Sequence, residues 1–359
     1  MPVKVGGDKV PWERTRLACA GAEGLWPDIH GLLGSGGTPS TPAPSRSQVP
    51  YANPARLYWP GMSKPALQAP ALDAETSYID VAGVRTRIRI LGEGPPLVLL
   101  HGLGGCLEEW RFNAPTLARE RRVYVPDLLG HGWTDKPAGP YTPLRFAEFL
   151  HGLLDRLGLE SAPLVGHSFG GAICMLYATR HPERVTRLAV AGSAGLGPSV
   201  SPLLRMLSLR ACAPLVRIRS RAAIRLAARR FVARPERRTE EWVETTYRRL
   251  AIPGGRRVFL DVIRSTLRVR GLSPEWLSEI HSVLPVLRAP LLILHGRQDN
   301  VVPVRNVEYA KRLLPQCEVK LFDPCGHDLP YECADEFNRE VLNFLSRDFV
   351  LDSKVSQDG

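Results

Sequence analysis

The stretch Leu164-Val165-Gly166-His167-Ser168-Phe169-Gly170-Gly171 constrains the fold of this chain more than any other. The apolar run Ala162 to Val165 leads into it, and Ala172 to Ala178 follows with the composition of a helix. A strand must therefore turn directly into a helix, with Ser168 at the apex. Gly166 and Gly170 lie two positions either side of the serine, where a Cβ would stop the backbone from folding so tightly. A serine on a strained turn of this kind has its hydroxyl lifted clear of the sheet. The helix that follows points its free N–H groups and the positive end of its dipole at any charge that develops there.

The rest of the chain supplies a sheet for this turn to sit on. Ser77 to Val81 and Arg85 to Leu91 alternate in polarity across Ala82-Gly83 and predict a hairpin. Pro96 to Leu100 is continuously apolar, as in a strand buried on both faces. Further strands are predicted at Arg122–Val125, Val185–Ala191, Leu291–Leu294 and Val319–Phe322. Helices are predicted at Glu108–Arg119, Leu144–Leu157, Val304–Leu314 and Ala334–Leu345. Strands alternating with helices make this an α/β chain: a mainly parallel central sheet with helices on both faces. Residues 197–285 break the alternation. A helix-rich connection of that length is too long for a simple crossover and predicts an inserted helical cap over the C-terminal ends of the strands, where open α/β sheets bind ligands. The core is then 62–196 plus 286–350. Residues 1–61, with nine prolines and nine glycines, are expected to form a disordered tail, and 351–359 a flexible one.

Charge and cysteines narrow the setting. The net charge of +11 resides wholly in residues 201–285, which hold 18 arginines, no lysine and 7 acidic residues. Arginine-rich helices with an apolar stripe suit contact with an anionic membrane surface or an acidic carrier. No nucleic-acid recognition motif accompanies the charge, so nucleic acid is not expected as a partner. The seven cysteines show no C-x-x-C pairing, and no apolar run is long enough to span a bilayer or act as a secretory signal. A cytoplasmic protein, peripheral to the membrane at most, is the expectation.

A serine hydroxyl needs a base to take its proton, and the base needs an orienting acid. Both should lie on loops beyond later strands, in the order serine, acid, histidine. The strand Leu291–Leu294 runs into a loop carrying Asp299, and the strand ending at Phe322 runs into one carrying His327. Ser168, Asp299 and His327 are therefore the predicted catalytic residues. The backbone N–H groups of Leu103, in His101-Gly102-Leu103-Gly104-Gly105, and of Phe169 are the predicted oxyanion hole, each donor worth roughly 3–4 kcal/mol in the transition state. Gly104, Gly105 and His167 are expected to line the substrate site. Asp127 is expected to hold its own turn. This chemistry calls for no metal and no organic cofactor.

Five motifs in register carry a family resemblance: His101-Gly102-Leu103-Gly104-Gly105, Pro126-Asp127-Leu128-Leu129-Gly130-His131-Gly132, Gly166-His167-Ser168-Phe169-Gly170-Gly171, Gly296-Arg297-Gln298-Asp299 and Gly326-His327. Residues 76–347 resemble the α/β-hydrolase superfamily, and most of all its serine esterases and lipases. The resemblance implies hydrolysis of a carboxylic ester of a small molecule through an acyl-enzyme. The chain is similar also to the meta-cleavage C–C hydrolases, which implies cleavage of a vinylogous diketone from aromatic-ring degradation as the alternative. Those enzymes often have asparagine where His167 stands and usually tryptophan where His295 stands. Serine at 168 sets the chain apart from the similar dehalogenases and epoxide hydrolases, which have aspartate there. A third alternative is a non-catalytic small-molecule binder on the same fold, which would have no need of the full serine, histidine and aspartate set.

Overall fold

The computed structural model describes residues 76–347, apart from residues 218, 219 and 283. The expected tails, 1–61 and 351–359, lie outside the described residues. Ten strands are described: β1 Ser77–Val81, β2 Val84–Leu91, β3 Pro96–Leu100, β4 Arg122–Pro126, β5 Ala162–His167, β6 Val185–Ala191, β7 Leu267–Arg268, β8 Gly271–Leu272, β9 Leu291–Gly296 and β10 Glu318–Phe322. Eight of them form one sheet in the order β1-β2-β4-β3-β5-β6-β9-β10. β1 and β2 pair antiparallel through the turn at Ala82-Gly83, and β2 pairs antiparallel with β4. All later neighbours are parallel.

The period of two in the strands decides which residues face which layer. Val98 and Leu100, Leu188 and Val190, and Ile293 point to one face; there α2 (Pro143–Arg156), α3 (Phe169–Arg180) and α9 (Arg305–Leu313) contribute Phe146, Ile173 and Val307. Leu97 and Leu99, Ala189 and Ala191, and Leu294 point to the other, under α1 (Ala114–Leu117) and α11 (Ala334–Ser346), which supply Leu117, Phe337 and Phe344. Burying both faces explains why residues 96–100, 162–165 and 291–294 are continuously apolar.

Between β6 and β9 the chain forms α4 (Pro202–Leu207), α5 (Arg221–Phe231), α6 (Glu240–Leu250), α7 (Gly255–Thr266) and α8 (Pro274–His281), with the short hairpin β7–β8 after α7. This segment is anchored in two places. Leu207, Val258, Val262, Trp276 and Ile280 join the core on the α3 side of the sheet. Ile224, Ala228, Trp242 and Val243 form a smaller cluster of their own, closed by Tyr331 of α10 (Leu329–Glu332). Ser201, Ser220, Thr239 and Ser273 cap four of these helices through their side-chain oxygens.

One expected helix is broken. In place of a continuous 108–119 helix there is a 3-10 turn at Leu107–Trp110 and then α1, because Pro115 lacks an N–H and can serve only in a first turn. Between α4 and the arginine-rich α5 lies a 3-10 segment at Arg210–Arg217 that contains Pro214.

Candidate active site

Ser168 has φ 52° and ψ −114°, the positive-φ turn that the glycine spacing predicts. A Cβ on Gly166 would lie 2.5 Å from the Gly171 nitrogen, and one on Gly170 would lie 2.5 Å from the carbonyl oxygens of both Leu100 and His101. The turn is that tight because β5 runs straight into α3 while pressed against the end of β3. The Ser168 N–H donates to the Ala191 carbonyl at the end of β6 (2.8 Å).

The structure brings Ser168, His327 and Asp299 together. The Ser168 hydroxyl donates to His327 Nε2 (3.0 Å) and His327 Nδ1–H donates to Asp299 Oδ2 (2.7 Å). A carboxylate only accepts, so this contact sets the tautomer that leaves Nε2 free to accept from the serine. The other carboxylate oxygen, Asp299 Oδ1, accepts from the N–H groups of Val301 and Val302, both at 2.8 Å. Burial on its own would raise the Asp299 carboxyl, but His327 beside it, with His295 and the Val302 N–H, holds it below the ordinary carboxylate range. His295 Nε2–H donates to the Val302 carbonyl (2.8 Å) and so packs the acid loop from beneath.

The His101 to Gly105 loop lies against the nucleophile: a Cβ on Gly102 would be 3.2 Å from Ser168 Cβ. The Gly105 N–H closes the turn onto the Gly102 carbonyl (2.9 Å). Neither the Leu103 nor the Phe169 N–H has a hydrogen-bond acceptor among the described residues, which leaves both donors available beside Ser168. His101 donates from Nδ1 to the Gly102 carbonyl and accepts the Leu128 N–H at Nε2, joining this loop to the turn after β4. In that turn Asp127 accepts the N–H groups of Leu107 and Trp133 and forms a buried ion pair with Arg87 (2.6 Å). Asp127 thus holds a neighbouring loop as well as its own.

The three residues expected to line the substrate site each have close protein neighbours. His167 is buried, with Nδ1 2.7 Å from Glu109 Oε1 and Nε2 2.9 Å from the His327 carbonyl, so neither ring nitrogen is left for a ligand. At Gly105 a Cβ would meet Glu109 Oε2 at 2.7 Å, so this glycine admits the Glu109 side chain. Gly104 has φ 68° and looks onto Phe259 of α7, whose ring a Cβ would approach to 3.1 Å. Phe169 has Phe146 edge-on at 5.0 Å between ring centres and Trp276 at 6.3 Å, so the side chain that follows the serine packs among aromatic rings.

The inserted segment reaches the histidine loop directly. The N–H groups of His327 and Asp328 both donate to the Phe231 carbonyl at the end of α5 (2.7 and 3.0 Å). The buried Glu332 carboxylate accepts from the Gly326 N–H and the Arg234 N–H, and Asp328 accepts from Trp242 Nε1 (2.7 Å). Reading the sequence alone missed Glu109, Phe231 and Glu332, because nothing in their local patterns marks a charge or a carbonyl that packing will bury.

Residues 95–333 match the family model for the alpha/beta hydrolase fold. The chain is 32% identical over 303 residues to a 2-hydroxymuconate semialdehyde hydrolase of Pseudomonas putida, covering 80% of this chain and 98% of that protein. Among solved structures it is similar to a meta-cleavage product hydrolase of Pseudomonas fluorescens IP01, with TM-score 0.65, 29% identity, and coverage of 75% of this chain and 97% of that one. It is similar also to a membrane phospholipase A described as a bacterial virulence factor, with TM-score 0.64, 26% identity, and coverage of 76% and 85%.

Proposed function

The chain belongs to the α/β-hydrolase fold family, and from that premise we propose that it is a serine hydrolase that cleaves a carboxylic ester through an acyl-enzyme. The observation that carries this reading is the relay from Ser168 through His327 to Asp299, at 3.0 and 2.7 Å, on a strained turn. His327 takes the serine proton as Ser168 attacks the acyl carbon. Asp299 keeps the imidazole in its tautomer and balances the imidazolium. The N–H groups of Leu103 and Phe169 receive the oxyanion. His327 then protonates the leaving alcohol, and a water deprotonated by the same histidine releases the acid. The helical segment over the strand ends acts as the cap, and Phe259 and Trp276 give the acyl group an apolar wall.

A second reading is hydrolysis of a C–C bond in a vinylogous diketone, favoured by the likeness to 2-hydroxymuconate semialdehyde hydrolase. The engagement of both His167 nitrogens supports the ester reading, since a dienoate carboxylate would find no free polar group on the residue preceding the nucleophile. Turnover of a p-nitrophenyl ester panel beside a 2-hydroxy-6-oxodienoate separates the two. Ester turnover is expected, and Ser168→Ala should abolish it with the melting temperature nearly unchanged. Inert esters with a cleaved dienoate would favour the second reading. Failure of a fluorophosphonate to label Ser168 would leave only a binder.

A further inference from the structure

Glu109 and His167 form a buried pair with no part in the relay. Glu109 sits in the 3-10 turn after β3, and His167 is the last residue of β5. Their side chains are 7% and 5% exposed. The partners of the imidazole decide its charge state. Nδ1 faces a carboxylate oxygen and Nε2 faces a carbonyl oxygen, and both of those groups can only accept. A ring that satisfies both must carry two protons, so His167 is an imidazolium. Burial would lower its pKa, but the Glu109 carboxylate raises it to about 9, and His167 in turn helps to hold Glu109 down at about 2.

The pair has two outlets. Glu109 Oε1 also accepts the Gly102 N–H at 2.9 Å, one residue before Leu103. His167 Nε2–H donates to the backbone carbonyl of His327 at 2.9 Å. We propose that Glu109 and His167 are positioning residues, an ion pair that fixes the oxyanion loop and the backbone of His327 against each other across the nucleophile. This rests on the serine-hydrolase reading above and extends it. The His327 backbone is held from both sides: His167 binds its carbonyl from the sheet, and Phe231 accepts its N–H from the inserted segment. Loss of one proton from His167 leaves one of its two contacts without a hydrogen. His327 Nε2 then loses its register with the Ser168 hydroxyl.

The charged and titratable groups around the pair come from every element packed on it. They are His101 after β3, His131 of the turn after β4, Arg249 of α6 with Nη1 3.7 Å from Glu109 Oε2, His295 of β9, and His327 and Asp328 of the histidine loop. His167 alone among them has both nitrogens bridging Glu109 to the His327 backbone.

The test is the rate at which a fluorophosphonate labels Ser168, followed across pH, in the full chain and in Glu109→Gln and His167→Asn. Labelling reads nucleophile activation whatever the natural substrate is. The native protein should lose reactivity as pH rises through about 9. Glu109→Gln keeps the shape of the side chain and its acceptor for Gly102. It should label roughly 10–100-fold more slowly, with the alkaline fall moved down toward the ordinary histidine range. His167→Asn should be slow and lack that fall. In ester turnover the loss should appear in kcat with KM little changed. Circular dichroism shows whether each variant is folded, and Glu109→Asp, which restores the charge, should recover part of the rate. Native-rate labelling by folded Glu109→Gln, or an alkaline fall left in place in that variant, overturns the inference while leaving the serine-hydrolase reading intact. Absence of labelling in the native protein overturns both.

Discussion

Ser168 occupies a backbone region that costs an L-residue about 1–3 kcal/mol, and it is held there by the Gly166 and Gly170 contacts and by its N–H bond to Ala191. The aspartate of the relay is held just as firmly, with two backbone donors on Oδ1 and His327 on Oδ2. Asp299→Asn keeps the shape but puts an N–H where His327 needs an acceptor, which flips the tautomer. The expected loss is about 10⁴-fold in kcat, by comparison with other relays of this kind; near-native activity in that variant would place the acid elsewhere. The Glu109 and His167 pair also makes stability depend on pH. The folded pKa of His167, about 9, lies above the ordinary 6.5, so its contribution is complete below 6.5 and is lost as pH rises through 9. The folded pKa of Glu109, about 2, lies below the ordinary 4.5, so its contribution is present above 4.5 and is lost as pH falls toward 2. Melting temperature should therefore fall on both sides of a plateau, and Glu109→Gln should flatten the alkaline side. An unchanged alkaline slope in Glu109→Gln would assign that slope to other groups.

At the scale of elements, the cluster of Ile224, Ala228, Trp242, Val243 and Tyr331 is separate from the two sheet cores. It joins α5 and α6 to α10, and so to the histidine loop. Trp242→Ala should cost about 3–5 kcal/mol locally and leave Asp328 without its indole donor. Hydrogen exchange is expected to speed up in α5 and α6 while β3, β5 and β6 keep their protection; uniform acceleration across the sheet would mean that the cluster is not an independent unit. The strands of the sheet were legible because each is apolar on a period of two or throughout, and burial on both faces leaves little alternative. Ser168, His327 and Asp299 were legible because each stands at a fixed offset beyond such a strand. The helix expected at 108–119 was not, since Pro115 starts a new turn and the acidic residues that look like its exposed face are engaged within the fold: half-buried Glu108 pairs with Arg87 and buried Glu109 with His167. A sequence pattern records polarity, and it has no symbol for a charge that packing will neutralise.

For the whole molecule, the positive excess of residues 201–285 is partly spent within the fold. Arg225 makes two 2.6 Å bonds to Glu240, and Arg221 and Arg248 flank Glu244. What remains outward is more specific than the arginine count suggests. Leu226 is 69% exposed on α5, on the same side as the exposed Arg229 and Arg230, because residues four and three positions apart share a helix face. No helix among the described residues is long and apolar enough to cross a membrane. An apolar side chain flanked by unburied guanidinium groups suits the headgroup region of an anionic bilayer, where each basic residue contributes about 1 kcal/mol. Co-sedimentation with phosphatidylglycerol vesicles is expected at ~0.1 M salt and should be lost near ~1 M, where the screening length shrinks from about 10 to about 3 Å. Phosphatidylcholine vesicles should not bind. Replacing Arg229 and Arg230 with serine should abolish sedimentation without changing ester turnover, since both lie on the outer face of α5. Equal recovery with neutral and anionic vesicles, or binding that survives high salt and the double replacement, would reduce this face to a solvated cover over the site.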